Sequence, residues 1–346
     1  MEFGATLPGG EGKTVFGELI VAYLFLGGTG AGACAVAAVL GLLADGADVR
    51  QGLAARFRDG GNGRPGVYRR LFVSLWATAL IALVLGVVCL SADVGRIDRV
   101  LVLAVSAPTN YLVVGFWALA ACAASGIATL LVWQGAMPGS YRLLMALNGA
   151  SLVAACVAAV YTGLLLAGLA SVPLWFGPWL PAVFLLSALS CGTALVAAVM
   201  VLAGADAPFG RVLQALGAVD MGLIGLEAIA LAGWLGCTWL GAGGTLAQAA
   251  PATPTDAAAL ASVAALVEGS WAPMFWGVLG AVGLAVPFGL EGALLAQGRR
   301  RGSPRRTASA VVLVSAACVL VGGAALRWLV VMAAVQPMVS SAAYVL

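Results

Sequence analysis

The sequence contains no histidine and only one lysine, Lys13, and just 9% of its 346 residues are charged. Without histidine, a bis-histidine haem, a histidine metal site and a histidine proton relay are all excluded. A single lysine this close to the first residue leaves no membrane-embedded amine for a retinal-type Schiff base. With 17 basic and 14 acidic residues, the chain also has too few charged side chains to cover a water-soluble globule of this size.

Cysteines are present but scattered, one to each apolar segment. They are Cys34, Cys89, Cys122, Cys156, Cys191, Cys237 and Cys318. Iron–sulfur and zinc sites need grouped thiolates, so this spacing predicts small core residues and no metal bound by this chain. The net charge of +3 is too small, and the arginines are too unevenly placed, for a nucleic-acid-binding protein.

Hydrophobic residues, in contrast, make up 62% of the chain. Crossing a hydrocarbon core of about 30 Å takes about 20 helical residues, and eight apolar runs reach that length. We place them near residues 15–43, 71–92, 109–134, 143–170, 180–203, 212–240, 271–297 and 307–334. The sequence therefore predicts an all-α integral membrane protein in which residues 1–346 form one membrane domain of eight transmembrane helices.

The arginines predict the orientation of these helices. Together with Arg142 and Arg211, the segments after the first and seventh spans place 13 of the 17 basic residues on one side of the membrane. By the positive-inside rule this arginine-rich side is cytoplasmic, so we expect both termini outside. The arginines of the two segments are Arg50, Arg56, Arg58, Arg64, Arg69, Arg70, Arg299, Arg300, Arg301, Arg305 and Arg306.

The longest outer loop, 241–270, has no basic residue. Within it Leu260, Val263 and Val267 recur at helical spacing after a cap at Asp256, which predicts a short amphipathic helix on the outer surface. This helix is either a docking platform for a partner or a lid that seals the bundle. The tryptophans expected at the outer interface are Trp175, Trp179, Trp239 and Trp271.

The 47 glycines predict close helix packing. Spacings such as Gly28 to Gly32 allow two helix backbones to approach in a bilayer, where lipid offers no hydrophobic drive for association. A phosphate-binding loop is not indicated, because the glycine-rich stretch 27–32 lies inside an apolar run with no preceding strand and no following lysine.

Polar side chains near the outer ends of several spans are candidates for function, because a charge in hydrocarbon costs about 3 kcal/mol or more. Glu18 and Tyr23 lie about 140° apart on one helix, so they cannot both point straight into one narrow cleft. For Arg327 the alternative is pairing with a neighbouring carboxylate, and for Asp93 it is capping a turn together with Arg96. The full outer set is Glu18, Tyr23, Asp93, Asn110, Tyr161 and Arg327.

A second set of acidic residues, Asp220, Glu227 and Glu291, is expected deeper in the membrane. Asp220 and Glu227 are seven residues apart and therefore share one helix face, about 10 Å apart along the axis. Such a row can pass protons through intervening water. The alternative is that these residues are protonated or paired and hold the sixth span against its neighbours.

One resemblance runs along nearly the whole chain. The stretches YTGLLL (161–166), VPLW (172–175) and LPAVFLLSALSCG (180–192) resemble the polysulfide reductase NrfD-like membrane subunit family. Supporting segments are YLFLGG (23–28) with GAG (30–32), DVGR (93–96) and LRW (326–328), in the family's order.

The resemblance implies a haem-free subunit of two four-helix bundles in the prokaryotic cytoplasmic membrane, a quinol dehydrogenase subunit of anaerobic respiration. It implies electron exchange with menaquinone or ubiquinone, and anchoring of an iron–sulfur protein and a molybdopterin catalytic subunit on the outer face. The implied quinone site rests on Tyr161, Asp93 and Arg327. Some family members use a histidine or asparagine in the first helix, where this chain has Glu18 and Tyr23.

Two other functions remain open. In a proton- or cation-coupled secondary transporter, Asp220, Glu227 and Glu291 would bind the coupling ion, although we find no inverted repeat and no matching pair of broken spans. A purely structural anchor would keep the partner but lack the quinone site.

Overall fold

The computed structural model describes residues 17–54, 64–94, 111–169, 172–175, 177–206, 208–243, 253–299 and 305–343. Within these ranges the chain is almost entirely helical and contains no strand. Eight helices are long and apolar enough to cross a membrane. The predicted all-α membrane architecture with eight spans is therefore confirmed, and the protein is a multi-pass membrane protein.

Ten α-helices follow one another along the described chain. They are α1 (Glu18–Leu43), α2 (Gly46–Ala54), α3 (Arg64–Val94), α4 (Tyr111–Gln134), α5 (Tyr141–Ala167), α6 (Trp179–Leu202), α7 (Gly210–Gly241), α8 (Pro254–Val267), α9 (Val286–Arg299) and α10 (Arg305–Ala343). The seventh span starts with the π-helical segment Pro273–Ala285 and continues directly as α9. Of the ten, α2 and α8 are too short to span a membrane, and α9 spans it only together with the π-helical segment.

The first span, α1, lies at the centre of the helix packing and contacts α3, α5, α6 and α10. Its glycines make these contacts possible. A methyl group on Gly30 would lie 2.5 Å from the backbone of Leu83 in α3, and one on Gly32 would overlap the carbonyl group of Ala188 in α6. The glycine-rich stretch thus has the packing role that its spacing predicts.

The remaining spans surround this centre. Helices α1, α3, α4 and α5 pack against one another, and α6, α7, α9 and α10 form a second set of neighbours. Because α6 packs closely against α1 and α5 as well as against α7, the division into two four-helix bundles stays a prediction. The side on which the termini lie also stays a prediction.

On the side opposite the arginines, α8 is the surface helix expected from the outer loop. Its N-cap is Thr253, whose hydroxyl group accepts a hydrogen bond from the backbone N–H of Asp256 at 3.2 Å, so the expected cap at Asp256 is wrong. Asp256 lies in the first turn, where its carboxylate accepts a 2.6 Å hydrogen bond from the Thr253 hydroxyl. The helix packs onto α7 and α10 through Ala259, Val263 and Leu266.

Trp175 differs from its expected place at the lipid interface. It is fully buried, because the short 3-10 helix Pro173–Trp175 turns its side chain into the bundle. The indole N–H of Trp175 donates to the carbonyl oxygen of Val330 at 2.9 Å. In the same way, the indole N–H of Trp234 donates to the carbonyl oxygen of Leu174 at 3.0 Å. These two bonds fix the loop before α6 to the outer ends of α7 and α10.

On the arginine-rich side, Arg69 closes the end of α4. Its guanidinium donates to the carbonyl oxygens of Trp133 at 2.8 Å and Gln134 at 2.7 Å. These carbonyls have no partner inside their own helix, and a cation at a helix C-terminus is favoured by the helix dipole. At least one arginine of this side is therefore part of the folded structure.

Candidate functional site

Arg327 lies deep in the bundle, with only 1% of its surface exposed. Its Nη1 donates to the hydroxyl group of Ser187 and, at 3.0 Å, to the carbonyl oxygen of Gly323 one turn earlier. The guanidinium carbon lies 5.4 Å from the ring centre of Phe184. Gly28 of α1 leaves the space for this group, since a methyl group there would lie 3.3 Å from Nη2.

Glu227 of α7 supplies the negative charge. Its carboxyl group is buried, and it interacts with the Ser187 hydroxyl and with the Arg327 guanidinium. Ser187 is thus the common contact of the two charged groups. The neighbouring carboxylate that the sequence left open for Arg327 is present, and it offsets the cost of burying the arginine.

Further toward the arginine-rich side, two more acidic residues meet. Asp220 of α7 accepts a 2.7 Å hydrogen bond from the Ser190 hydroxyl, and Glu291 of α9 accepts a 2.9 Å bond from the Ser315 hydroxyl. The two carboxyl groups also interact with each other. Glu291 therefore extends the acidic stripe of α7 across to the seventh span.

Several buried polar atoms in this row have no hydrogen-bond partner among the described residues. They are Asp220 Oδ2, Glu291 Oε2 and Arg327 Nε. Buried polar atoms are nearly always paired, with protein or with water. Two facing carboxyl groups in hydrocarbon are costly when both are charged, so a proton or a water between them is the simplest partner. The row therefore has the composition of a proton-holding site.

Tyr23 and Tyr161 form a separate contact on another side of α1. Both are buried, and their hydroxyl groups interact, although the hydroxyl of Tyr23 makes no hydrogen bond of good geometry with a described residue. The ring of Tyr161 lies directly on Gly115 of α4, where a methyl group would overlap it. Tyr23 and Gly28 are five residues apart on α1, so the tyrosine pair and Arg327 face different directions.

The other predicted outer residues lie at the ends of the spans. Glu18 is exposed as the first residue of α1, and Asp93 is exposed near the end of α3. They are close together, because a methyl group on Gly17 would lie 2.9 Å from Oδ1 of Asp93. Asn110, and Arg96 as the proposed partner of Asp93, lie outside the described residues. The structure thus distributes the predicted set over three places.

Sequence reasoning missed the serines that hold the charged groups. Ser187, Ser190 and Ser315 each bind one of them. Ser187 and Ser190 are three residues apart and share one face of α6, within the segment LPAVFLLSALSCG. This three-residue spacing, together with the acidic residues Asp220 and Glu227 on α7, was the sequence signal that could have predicted these serine contacts.

The described residues hold no group of three or more side chains suited to a metal ion. The cysteines are nevertheless less isolated than their spacing indicates, because the thiols of Cys34 in α1 and Cys122 in α4 interact directly. Both are unoxidised and buried. The chain brings together residues that are far apart in sequence, which spacing alone does not reveal.

A family model described as polysulphide reductase, NrfD, matches residues 6–339 and so includes both tyrosines and the whole buried polar row. The chain belongs to the NrfD polysulphide reductase family. No individually curated protein matches it significantly.

This NrfD-family chain has two buried hydrogen-bond donors left open, on different sides of α1. The Tyr23 hydroxyl and Arg327 Nε are buried hydrogen-bonding atoms with no partner among the described residues. A ring oxygen is a natural acceptor for either of them.

Proposed function

We propose that this NrfD-family chain is the membrane anchor and quinol-oxidising, or quinone-reducing, subunit of a multi-subunit oxidoreductase in the prokaryotic cytoplasmic membrane. It exchanges electrons with an iron–sulfur protein on the outer face, which serves a molybdopterin catalytic subunit. The match to the NrfD family over residues 6–339 carries the proposal. The chemistry of the terminal substrate belongs to the partner.

The tyrosine pair and Arg327 are the proposed donors to menaquinone or ubiquinone. When bound, the quinone supplies a couple of two electrons and two protons. The hydroxyl groups of Tyr161 and Tyr23 donate hydrogen bonds to a ring oxygen on one side of α1, and Arg327 Nε offers a separate donor on another side of that helix. The burial of these side chains excludes water from the donors, which strengthens each hydrogen bond.

Protons are handled at the outer ends of the spans. Glu18 and Asp93 are exposed carboxylates that accept protons and release them to the outer solution, with Asn110 assigned to the mouth of the site. The sequence offers no histidine to ligate a haem, so we assign the electrons to a cluster of the partner subunit. The quinone site therefore belongs on the partner's side.

The buried row of Asp220, Glu227 and Glu291 is proposed as a proton path on the arginine-rich side. The contact between Asp220 and Glu291 across two spans supports it. With protons released outward and no such path, turnover would move no charge across the membrane. In the direction of quinone reduction the row would supply protons to the ring from the arginine-rich side, and in the direction of quinol oxidation it would carry released protons to that side. Either route would make turnover electrogenic.

The same row favours a second function, that of a proton- or cation-coupled transporter. Purification in mild detergent, with mass spectrometry of co-purifying chains and extracted lipids, separates the possibilities. An electron-transfer subunit is expected with an iron–sulfur partner, extractable quinone and quinol-dependent reduction of the partner. A transporter comes alone, and a bare anchor retains the partner without any response to quinol. Either of those two results contradicts the proposal.

A further inference from the structure

A deep apolar groove lies on the arginine-rich half of the molecule, away from the buried polar row. Its volume is about 590 Å³. One wall is α1 between Ala35 and Ala44, and the other is α7 between Arg211 and Leu223. Both helices pack on α6, which forms the floor, but they make little contact with each other.

The groove has the length of one bilayer leaflet. Arg211 and Leu223 are twelve residues apart on α7, which corresponds to about 18 Å of helix rise. Half of a hydrocarbon core is about 15 Å. The groove is also open to the surrounding lipid, since Leu43 at its rim is 79% exposed and Val219 is 55% exposed.

Polar groups lie almost entirely at one end of the groove. Tyr68 and Arg211 are at the end nearest the arginine-rich side. Deeper in, the hydroxyl group of Thr193 already donates to the carbonyl oxygen of Leu189 at 2.8 Å. The interior therefore offers hydrocarbon contacts and no spare donor for a ring oxygen, which disfavours a quinone headgroup as occupant.

Arg211 is an exposed cation at the mouth of this groove. Among the residues that the structure describes, none forms a hydrogen bond or an ion pair with it. Basic sites between transmembrane helices on the cytoplasmic side attract anionic lipid headgroups. A phospholipid needs a cation for its phosphate group and an apolar surface for its acyl chain. Arg211 at headgroup level and the groove beneath it provide both.

We propose that the groove between α1 and α7 binds an acyl chain of an anionic phospholipid, whose phosphate group lies against Arg211. A lipid chain fills the gap between two spans that otherwise lack a direct contact.

Native mass spectrometry of the full chain tests this. The protein is stripped of lipid, and phosphatidylglycerol or phosphatidylcholine is added back. We expect the unaltered protein to retain one phosphatidylglycerol molecule tightly. In Arg211→Gln the preference for phosphatidylglycerol over phosphatidylcholine should fall on the order of fivefold, the effect expected from losing one arginine at a lipid surface. The matched control is Arg142→Gln, an exposed arginine on the same side that does not line the groove.

A second variant, Ala215→Trp, fills the groove with an indole from its exposed wall, and we expect it to lose the retained lipid of either kind. Size-exclusion chromatography checks that Ala215→Trp remains folded. If it does not, Arg211→Gln, which changes only a surface side chain, still tests whether the groove binds an anionic lipid. An unchanged lipid preference in Arg211→Gln, equal retention of the two lipids by the unaltered protein, or a quinone as the retained ligand would overturn the proposal.

Discussion

Arg327 is the side chain whose burial most needs compensation, and its partners come from three helices. Ser187 of α6 accepts a hydrogen bond from the guanidinium, the carboxyl group of Glu227 of α7 interacts with it electrostatically, and Gly28 of α1 makes the space. Removing one partner of such a pair leaves an uncompensated charge in hydrocarbon, which costs more than removing both.

We therefore expect Arg327→Met to destabilise the protein by about 3–5 kcal/mol, because Glu227 loses its cation. Adding Glu227→Gln should restore part of that loss. Thermal unfolding in detergent of the two single variants and the double variant measures the coupling. If the two effects simply add, the charges do not stabilise each other.

Tyr161 is the sharper test of the quinone site, because its hydroxyl group can be removed while its ring keeps its packing. Tyr161→Phe keeps the ring on Gly115 but removes the hydroxyl group. We expect about a tenfold lower kcat/KM for quinol oxidation by the assembled complex, with unchanged thermal stability, since losing a hydrogen bond to a ligand worth about 1.4 kcal/mol corresponds to a factor of about ten.

The matched control is Tyr141→Phe. Tyr141 lies at the arginine-rich end of α5, under the guanidinium of Arg50. Equal activity losses in the two variants would show that the Tyr161 hydroxyl has no specific role.

Glu227 also tests the proton path. Glu227→Gln preserves the size and the contact with Ser187 but removes the exchangeable proton. We expect proton translocation by complex reconstituted in vesicles to fall severalfold per quinol oxidised, while Glu268→Gln, on the exposed outer surface, leaves it unchanged. An unaltered ratio in Glu227→Gln would remove the row from the mechanism.

At the scale of helices, the crossing of α1 and α6 is the least tolerant contact. Gly32 and Gly192 lie backbone to backbone there, so an added side chain cannot rotate away. Overpacking of this kind typically costs 1–3 kcal/mol and occasionally more.

We expect Gly32→Leu to abolish the folded, monodisperse protein in size-exclusion chromatography. Gly149→Ala in α5, where the added methyl group meets nothing within 4 Å, should be neutral. Normal folding of the Gly32→Leu variant would mean that α1 and α6 are further apart than described.

The helices themselves were predictable, because hydropathy and length are properties of single segments. The direction of each side chain was not. Trp175 was expected in the interface from its place in the sequence, but the 3-10 turn that buries it depends on a carbonyl of α10, more than 150 residues away. The cap of α8 was missed by three residues because Thr253 and Asp256 are both good capping residues.

The candidate site was predictable only in its charges. Buried ionisable residues stand out in an apolar sequence, whereas their serine partners do not. A hydroxyl group in a membrane helix commonly bonds to its own backbone, as Thr193 does with Leu189 and Thr238 with Trp234. Only its three-residue spacing from Ser187 distinguishes Ser190, whose hydroxyl binds Asp220, from these residues.

At the scale of the whole molecule, the two proposed functions lie at different depths in the membrane. The tyrosine pair and the exposed carboxylates lie toward the ends of the spans opposite the arginines, and the row ending at Glu291 leads to the arginine-rich side. In such a division the chain exchanges electrons with a lipid-soluble carrier near one face, while the row exchanges the carrier's protons with the other face. The central claim is that electrons leave this chain for a redox centre on the outer face.

The most direct test is rapid mixing of the purified assembly with a quinol under anaerobic conditions, while the absorbance and the EPR signal of the partner's iron–sulfur clusters are followed. We expect the clusters to be reduced only when this chain is present, and about tenfold more slowly in Tyr161→Phe. Reduction at the same rate without this chain, or no reduction by quinol and no oxidation by quinone in the intact assembly, would contradict it.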